Sequence, residues 1–218
     1  MAINQQQYAA YPAIGSGTTT TADTSYTAPN NSTVGIIATA KSNGARIDQI
    51  DNISLGTSVA GIVRYWLREG TPGPTISSIT FSTTTATVTT STAHGLSTGA
   101  LIVLQGAFPV EYNVKNVAVT VLSATTFSYT MSTAPTMNAS TVGEYSSSPA
   151  TPIYHLVKET TISAKTGSAT VAAETFTLSS QTDQPFMPLI LPGGWSFCTT
   201  VTTTQTNPWK TTARGGNN

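Results

Sequence analysis

Two histidines, one cysteine and a thin scatter of carboxylates are what this 218-residue chain offers for proton transfer, metal binding or nucleophilic attack. His94 stands in Thr92-Ala-His-Gly-Leu96, where a lone histidine before glycine is expected to hold a turn by hydrogen bonding rather than act as a base or ligand. His155 falls in a strand-like run with Lys158 and Glu159 nearby, and no second His or Cys stands at metal-ligand spacing. Cys198 is alone, which rules out an intrachain disulfide and a zinc site built from thiolates. Asp48, Asp51, Glu69, Glu111, Glu144, Glu159, Glu174 and Asp183 form no paired motif. Glycoside hydrolysis would need two of them to converge in the fold, which the sequence leaves open. The serine-rich stretches hold no Gly-x-Ser-x-Gly elbow, and Gly193-Gly194 lacks the Lys-Ser/Thr of a phosphate cradle. The chain is therefore read as a non-enzyme without cofactor or metal. Trp66, Trp195 and Trp209 would suit a sugar-stacking platform. Trp195 is instead expected in the core with Trp66, because it shares a strand face with Phe197 and Val201.

The elements that position these residues read as strands. Gly61-Ile-Val-Arg-Tyr-Trp-Leu-Arg-Glu69 alternates with period two, placing Val63, Tyr65 and Leu67 on one face and Arg64, Trp66 and Arg68 on the other. Its expected hairpin partner is Ile153-Tyr-His-Leu-Val-Lys-Glu-Thr-Thr-Ile-Ser163. Between them lies a domain's worth of chain, bounded by Thr71-Pro-Gly-Pro74 and Ser146-Ser-Ser-Pro-Ala-Thr-Pro152. A hairpin tip tolerates insertion because little buried backbone is disturbed there. The chain is thus read as a host domain of residues 33–72 and 151–218 that carries an inserted domain of residues 73–150.

In the host, Val34–Ala40 reads as a strand and Asn43-Gly44 as a turn. In Ala45–Ser54 the spacing of three between Ile47, Ile50 and Ile53 suits a helix, but the run is short and its β-branched residues favour a strand, so it reads as a strand with a bulge. Glu174–Leu178, Met187–Leu191, Trp195–Thr203 and Trp209–Ala213 complete the set. Eight or so strands and almost no helix predict an all-β host of two packed sheets, jelly-roll-like in type. The insert shows five short strands at regular spacing, Thr75–Phe81, Thr85–Thr90, Leu101–Leu104, Val117–Leu122 and Thr126–Met131, as in a small β-barrel or sandwich. Residues 1–32, with Gln5-Gln-Gln7 and Gly15-Ser-Gly-Thr-Thr-Thr-Thr21, lack sustained periodicity and read as an extended N-terminal arm. Tyr8, Tyr11 and Tyr26 are its candidate contacts with neighbouring subunits, since a rigid ring carrying a hydroxyl suits a half-wet interface.

Composition bounds the partners. Charged residues make up 8% of the chain and the formal net charge is zero, against about 25% charged in ordinary domains. That argues against bulk attraction to nucleic acid or anionic lipid. No apolar run approaches the roughly 18 residues of a spanning helix, and no charged-then-apolar leader opens the sequence.

Two stretches carry a family resemblance. Ile79–Gly99, with its Thr92-Ala-His-Gly-Leu-Ser-Thr-Gly99 turn, followed by Ala124-Thr-Thr-Phe-Ser-Tyr129, resembles a small β-barrel module that recurs in bacteriophage structural proteins. Asn43–Ile50, Val63-Arg-Tyr-Trp-Leu67, Tyr154-His-Leu156 and Leu191-Pro-Gly-Gly-Trp-Ser-Phe197 resemble small virion-associated phage proteins. Those proteins pass directly between the two hairpin strands, where this chain carries the barrel. The resemblance implies a virion structural protein, with a capsid-surface decoration (cement) subunit as the leading expectation. Its partners would be the major capsid protein or other virion proteins and copies of itself, as a trimer, and it would be made in the bacterial host cytoplasm. A fibre or tail-tip module that binds host glycan is the alternative.

Overall fold

The computed structural model describes residues 13–167, 175–179 and 187–217. The protein is all-β, and the backbone divides into two compact units. One comprises Met1–Arg68, Tyr154–Pro192 and Ser196–Asn218; the other comprises Glu69–Ile153 and Gly193–Trp195.

The first unit is built from β1 (Ala13–Thr19), β2 (Gly35–Thr39), β3 (Ala45–Ser54), β4 (Gly61–Arg68), β12 (Tyr154–Ile162), β13 (Thr175–Ser179), β14 (Leu189–Leu191), β15 (Ser196–Val201) and β16 (Trp209–Asn217). One sheet runs β1-β16-β3-β13, with β14 continuing the β13 lane along β3; the other runs β12-β4-β15-β2. Every pairing between these strands is antiparallel. With β13 and β14 counted as one lane, the eight lanes follow the order first-eighth-third-sixth and second-seventh-fourth-fifth. That is the strand order of a jelly roll, whose two Greek keys place sequence-distant strands side by side. Ile37, Ile47, Ile50, Val63, Tyr65, Phe197, Val201 and Trp209 form the core.

β3 explains the three-residue spacing of its isoleucines. Arg214 of β16 pairs with Gln49 and Gly215 with Ile47, so Asp48 is the extra residue of a bulge. The bulge resets the alternation and brings both Ile47 and Ile50 into the core at 0% exposure. Beyond it Asn52 and Ser54 take the inward positions and Ile53 turns outward at 39% exposure, contrary to the sequence expectation.

Three further segments differ from that expectation. Residues 13–19, read as arm, are the edge strand β1, paired with β16 from Ala13 to Thr19. Its glycines have a packing role: a Cβ on Gly15 would overlap the carbonyl oxygen of Ile37, and one on Gly17 that of Ile36. β1 therefore lies backbone against backbone on β2, an approach that only glycine permits. β16 continues past Ala213, where the expected strand ends, through Gly215 and Gly216, which pair with Ile47 and Arg46. Trp195, placed in the core by its alternation, is half-buried and precedes β15, whereas Trp66 and Trp209 are 0% and 1% exposed.

β4 and β12 pair from Gly61↔Ile162 to Arg68↔Tyr154. The chain between them forms the second unit, and at its base Glu69 N donates to Ile153 O at 3.0 Å. Its strands are β5 (Thr71–Pro72), β6 (Ile76–Ser82), β7 (Thr85–Thr90), β8 (Leu101–Phe108), β9 (Val114–Val121), β10 (Thr126–Thr130) and β11 (Thr141–Ser148), with a 3-10 turn at Val110–Tyr112. They form one curled sheet in the order β5-β11-β8-β9-β10-β7-β6, and β6 packs back against β11. Ile79, Val88, Ile102, Phe127, Tyr129 and Tyr145 fill its interior. β11 and β5 escape sequence reading. Thr141-Val-Gly-Glu-Tyr-Ser-Ser-Ser148 has turn-like composition. It pairs with β8 around Gly106 and Gly143, whose φ of 77° and 64° bend both strands together.

Candidate contact surface

The outer face of the β12-β4-β15-β2 sheet is where the structure concentrates polar side chains out of water. Neighbouring pairs across β4 and β15 are Arg64 with Thr200, Trp66 with Cys198, and Arg68 with Ser196. Alternation puts all six on the face opposite Val63, Tyr65 and Phe197. An outward sheet face is ordinarily solvated, yet here Arg64 and Arg68 are each 1% exposed.

Arg64 Nε donates to Glu159 Oε1 at 2.7 Å, and its Nη1 donates to the backbone carbonyl of Ser25 at 2.9 Å. The ring of Tyr26 covers the guanidinium, 3.7 Å from Cζ to the ring centroid. Trp66 Nε1 donates to Thr200 Oγ1 at 2.9 Å, and the Trp66 ring meets Tyr154 edge-on. Tyr154 Oη in turn donates to Asn31 Oδ1 at 2.9 Å. Burial, with a smaller contribution from Cys198, pushes the Tyr154 phenol up to about 12 against the pull of Arg68.

Asp23, Ser25, Tyr26 and Asn31 belong to a strap between β1 and β2. The strap carries its own scaffold. The Asp23 carboxylate accepts from Ser25 N at 3.0 Å, Asn30 N at 2.7 Å and Thr33 Oγ1 at 2.5 Å. Of the three tyrosines proposed as contacts, Tyr8 and Tyr11 lie outside the described residues, and Tyr26 is 63% exposed with its ring against Arg64 of its own chain. Arg64 beneath it carried no sequence signal beyond alternation, because its cover comes from a segment about forty residues earlier in the chain.

The candidates for chemistry are placed elsewhere. His94 Nδ1 accepts from Leu96 N at 3.0 Å, which leaves Nε2–H to donate to Ser123 O at 2.9 Å. It thereby ties the β7–β8 loop to the β9–β10 turn, a structural role. Asp48 is held by Arg46 at 2.6 Å. Asp51 accepts from Arg214, Gln49 and Thr177 on the outer face of the other sheet. Among the described residues, no three His, Cys, Asp or Glu side chains converge to hold a metal ion. Cys198 is fully buried.

The second unit exposes two features of its own. Phe108, Val110 and Met137 are 58%, 68% and 51% exposed. They lie at the end where Ser140 N donates to Phe108 O and Tyr112 Oη donates to Met137 O, both at 2.9 Å. An open cleft of about 310 Å³ is lined by uncharged residues, among them Thr71, Leu96, Ser97, Thr98, Ser147 and Pro149. Compared with protein-family models, curated proteins and solved structures, the chain matches none.

Proposed function

We propose that this protein is a structural component of a tailed-phage virion, serving as a head decoration subunit that binds and stabilises the capsid surface. The observation that carries the reading is the strand order of the first unit, a jelly roll whose β4–β12 hairpin is interrupted by a second all-β unit. It coincides with the place where the phage proteins resembled in sequence run directly from strand to strand. Fold alone does not set function, so the sequence resemblance supplies the particle and the jelly roll supplies a subunit suited to it. A charged content of 8% and zero net charge fit a protein held in permanent assembly by shape and hydroxyl contacts. Its partners in this reading are the major capsid protein and copies of itself.

The second reading, a fibre or tail-tip module, has its own observation in the exposed Phe108, Val110 and Met137 and in the uncharged cleft of the second unit. Those are surfaces a receptor would use. Electron microscopy of particles carrying a labelled copy separates the two. Many copies spread over the head support decoration, a few copies at the tail end support adhesion, and no particle-associated label defeats both.

A further inference from the structure

We propose that Asn43 is a site of spontaneous covalent modification, where the Asn43-Gly44 turn deamidates and gives the first unit a new carboxylate. Asn43 is the one asparagine in the chain that glycine follows. The Gly44 backbone nitrogen attacks Asn43 Cγ, and the new N–Cγ bond closes a succinimide ring. The Cγ–Nδ2 bond breaks, and ammonia leaves with the proton that the Gly44 nitrogen gave up. Water then opens the ring at either carbonyl, which yields an aspartyl linkage or an isoaspartyl one that routes the main chain through the former side chain. A side chain on the following residue crowds the attacking nitrogen, and glycine has none.

The fold leaves this asparagine open to the reaction. Lys41, Ser42 and Asn43 are exposed between β2 and β3, and no hydrogen bond to another described residue holds the Asn43 carboxamide. Other asparagines are held or hidden. Asn30 Oδ1 accepts from Ser32 N at 3.0 Å, and Asn113 accepts from Ala107 N and donates to Ala107 O, both at 2.9 Å. Asn52 is 0% exposed, and Asn207 precedes Pro208, which has no N–H to lose. Asn138 is exposed, but Ala139 brings a Cβ and its amide donates to Ile79 O at 3.1 Å.

One contact restrains the turn. Gly44 N donates to Lys41 O at 2.9 Å, which ties up the attacking nitrogen until that bond opens. The bridge between Lys41 and Gly44 is isolated, because β2 and β3 run on into different sheets and no ladder between them stiffens the turn. Such surface turns lie at the low end of a protein's stability spectrum. The consequence is electrostatic. Nine Lys and Arg balance nine Asp and Glu, so one new carboxylate becomes the whole net charge of the molecule. The isoaspartyl form also adds a backbone carbon just ahead of Gly44 and Ala45, where β3 begins its pairing with Leu191.

The experiment is incubation of the full-length native protein in mildly alkaline buffer made with heavy-oxygen water, followed by isoelectric focusing and peptide mass mapping. A free peptide of residues 40–46 in the same buffer serves as the clock. The expected result is a more acidic form that accumulates with time and carries one heavy oxygen at position 43. Conversion there should exceed that at Asn138, where a Cβ follows, by at least about tenfold. Asn43→Gln, whose longer side chain would have to close a six-membered ring, should remove most of the acidic form. Its unfolding midpoint should match wild type, because the position is exposed. Asn43 still intact in the native protein when the free peptide has fully converted, or an acidic form that N43Q makes just as fast, would overturn the proposal.

Discussion

The ring of Tyr26 lies over the guanidinium of Arg64, 3.7 Å from Cζ to the ring centroid, and the two residues come from a loop and a strand. That contact, with the Glu159 ion pair at 2.7 Å, makes a fully buried arginine tolerable on what would otherwise be a wet sheet face. Arg64→Ala should destabilise the protein by about 1–3 kcal/mol, since Ser25 O and Glu159 lose a charged donor. The cost stays below that of breaking a fully buried pair because the Glu159 side chain is 38% exposed and can be hydrated. Urea denaturation of the purified variant measures it.

The three tryptophans should separate by stability. Trp66→Ala and Trp209→Ala, at fully buried positions, should each cost about 3–5 kcal/mol. Trp195→Ala, at a half-buried position, should cost well under half of that. Equal losses at all three would put Trp195 back in a core.

Acid should act on the outer face of the β1-β16-β3-β13 sheet. Burial raises the pKa of Asp51, but hydrogen bonds from Arg214, Gln49 and Thr177 outweigh it and hold the carboxyl below its ordinary 3.8. A folded pKa below the unfolded one means stabilisation that is present above about pH 4 and lost as the pH falls through the folded value. Unfolding midpoints measured from pH 6 to pH 2 should therefore converge for wild type and Asp51→Asn at the acid end, with wild type the more stable at the neutral end.

Alkali should act with the opposite sign. Burial pushes the Tyr145 and Tyr154 phenols from 10.0 up to about 12. Their raised folded values give stabilisation that is full below pH 10 and lost as the pH rises toward 12. Ultraviolet titration should show these two phenols ionising late, and stability should decline over the same interval.

The second unit should be removable. The bond from Glu69 N to Ile153 O brings the chain ends together at its base. Replacing residues 70–152 with Asn-Gly, whose type I′ turn matches hairpin twist, should leave a protein with strand circular dichroism and cooperative unfolding. An insoluble product would show that the first unit needs the second.

Much of the secondary structure is local enough to be written in the sequence. Alternation in Gly61–Glu69 and Ile153–Ser163 predicts β4, β12 and their pairing, because side-chain period fixes which face is buried. The bulge in β3 is likewise legible in the spacing of Ile47 and Ile50, and the turn role of His94 follows from the glycine beside it. The tertiary structure alone decided the rest, wherever the stabilising partner is distant in the chain. β1 is a strand because β16 supplies its hydrogen bonds and Gly15 and Gly17 let it rest on β2. β11 is a strand because β8 bends with it at Gly106 and Gly143. Alternation puts Arg64 and Arg68 on the face opposite Val63 and Tyr65 without showing whether that face is covered, and both are buried; over Arg64 lies the strap between β1 and β2. A period in sequence says which way a side chain points, but what lies over that side chain is set by contacts the period does not encode.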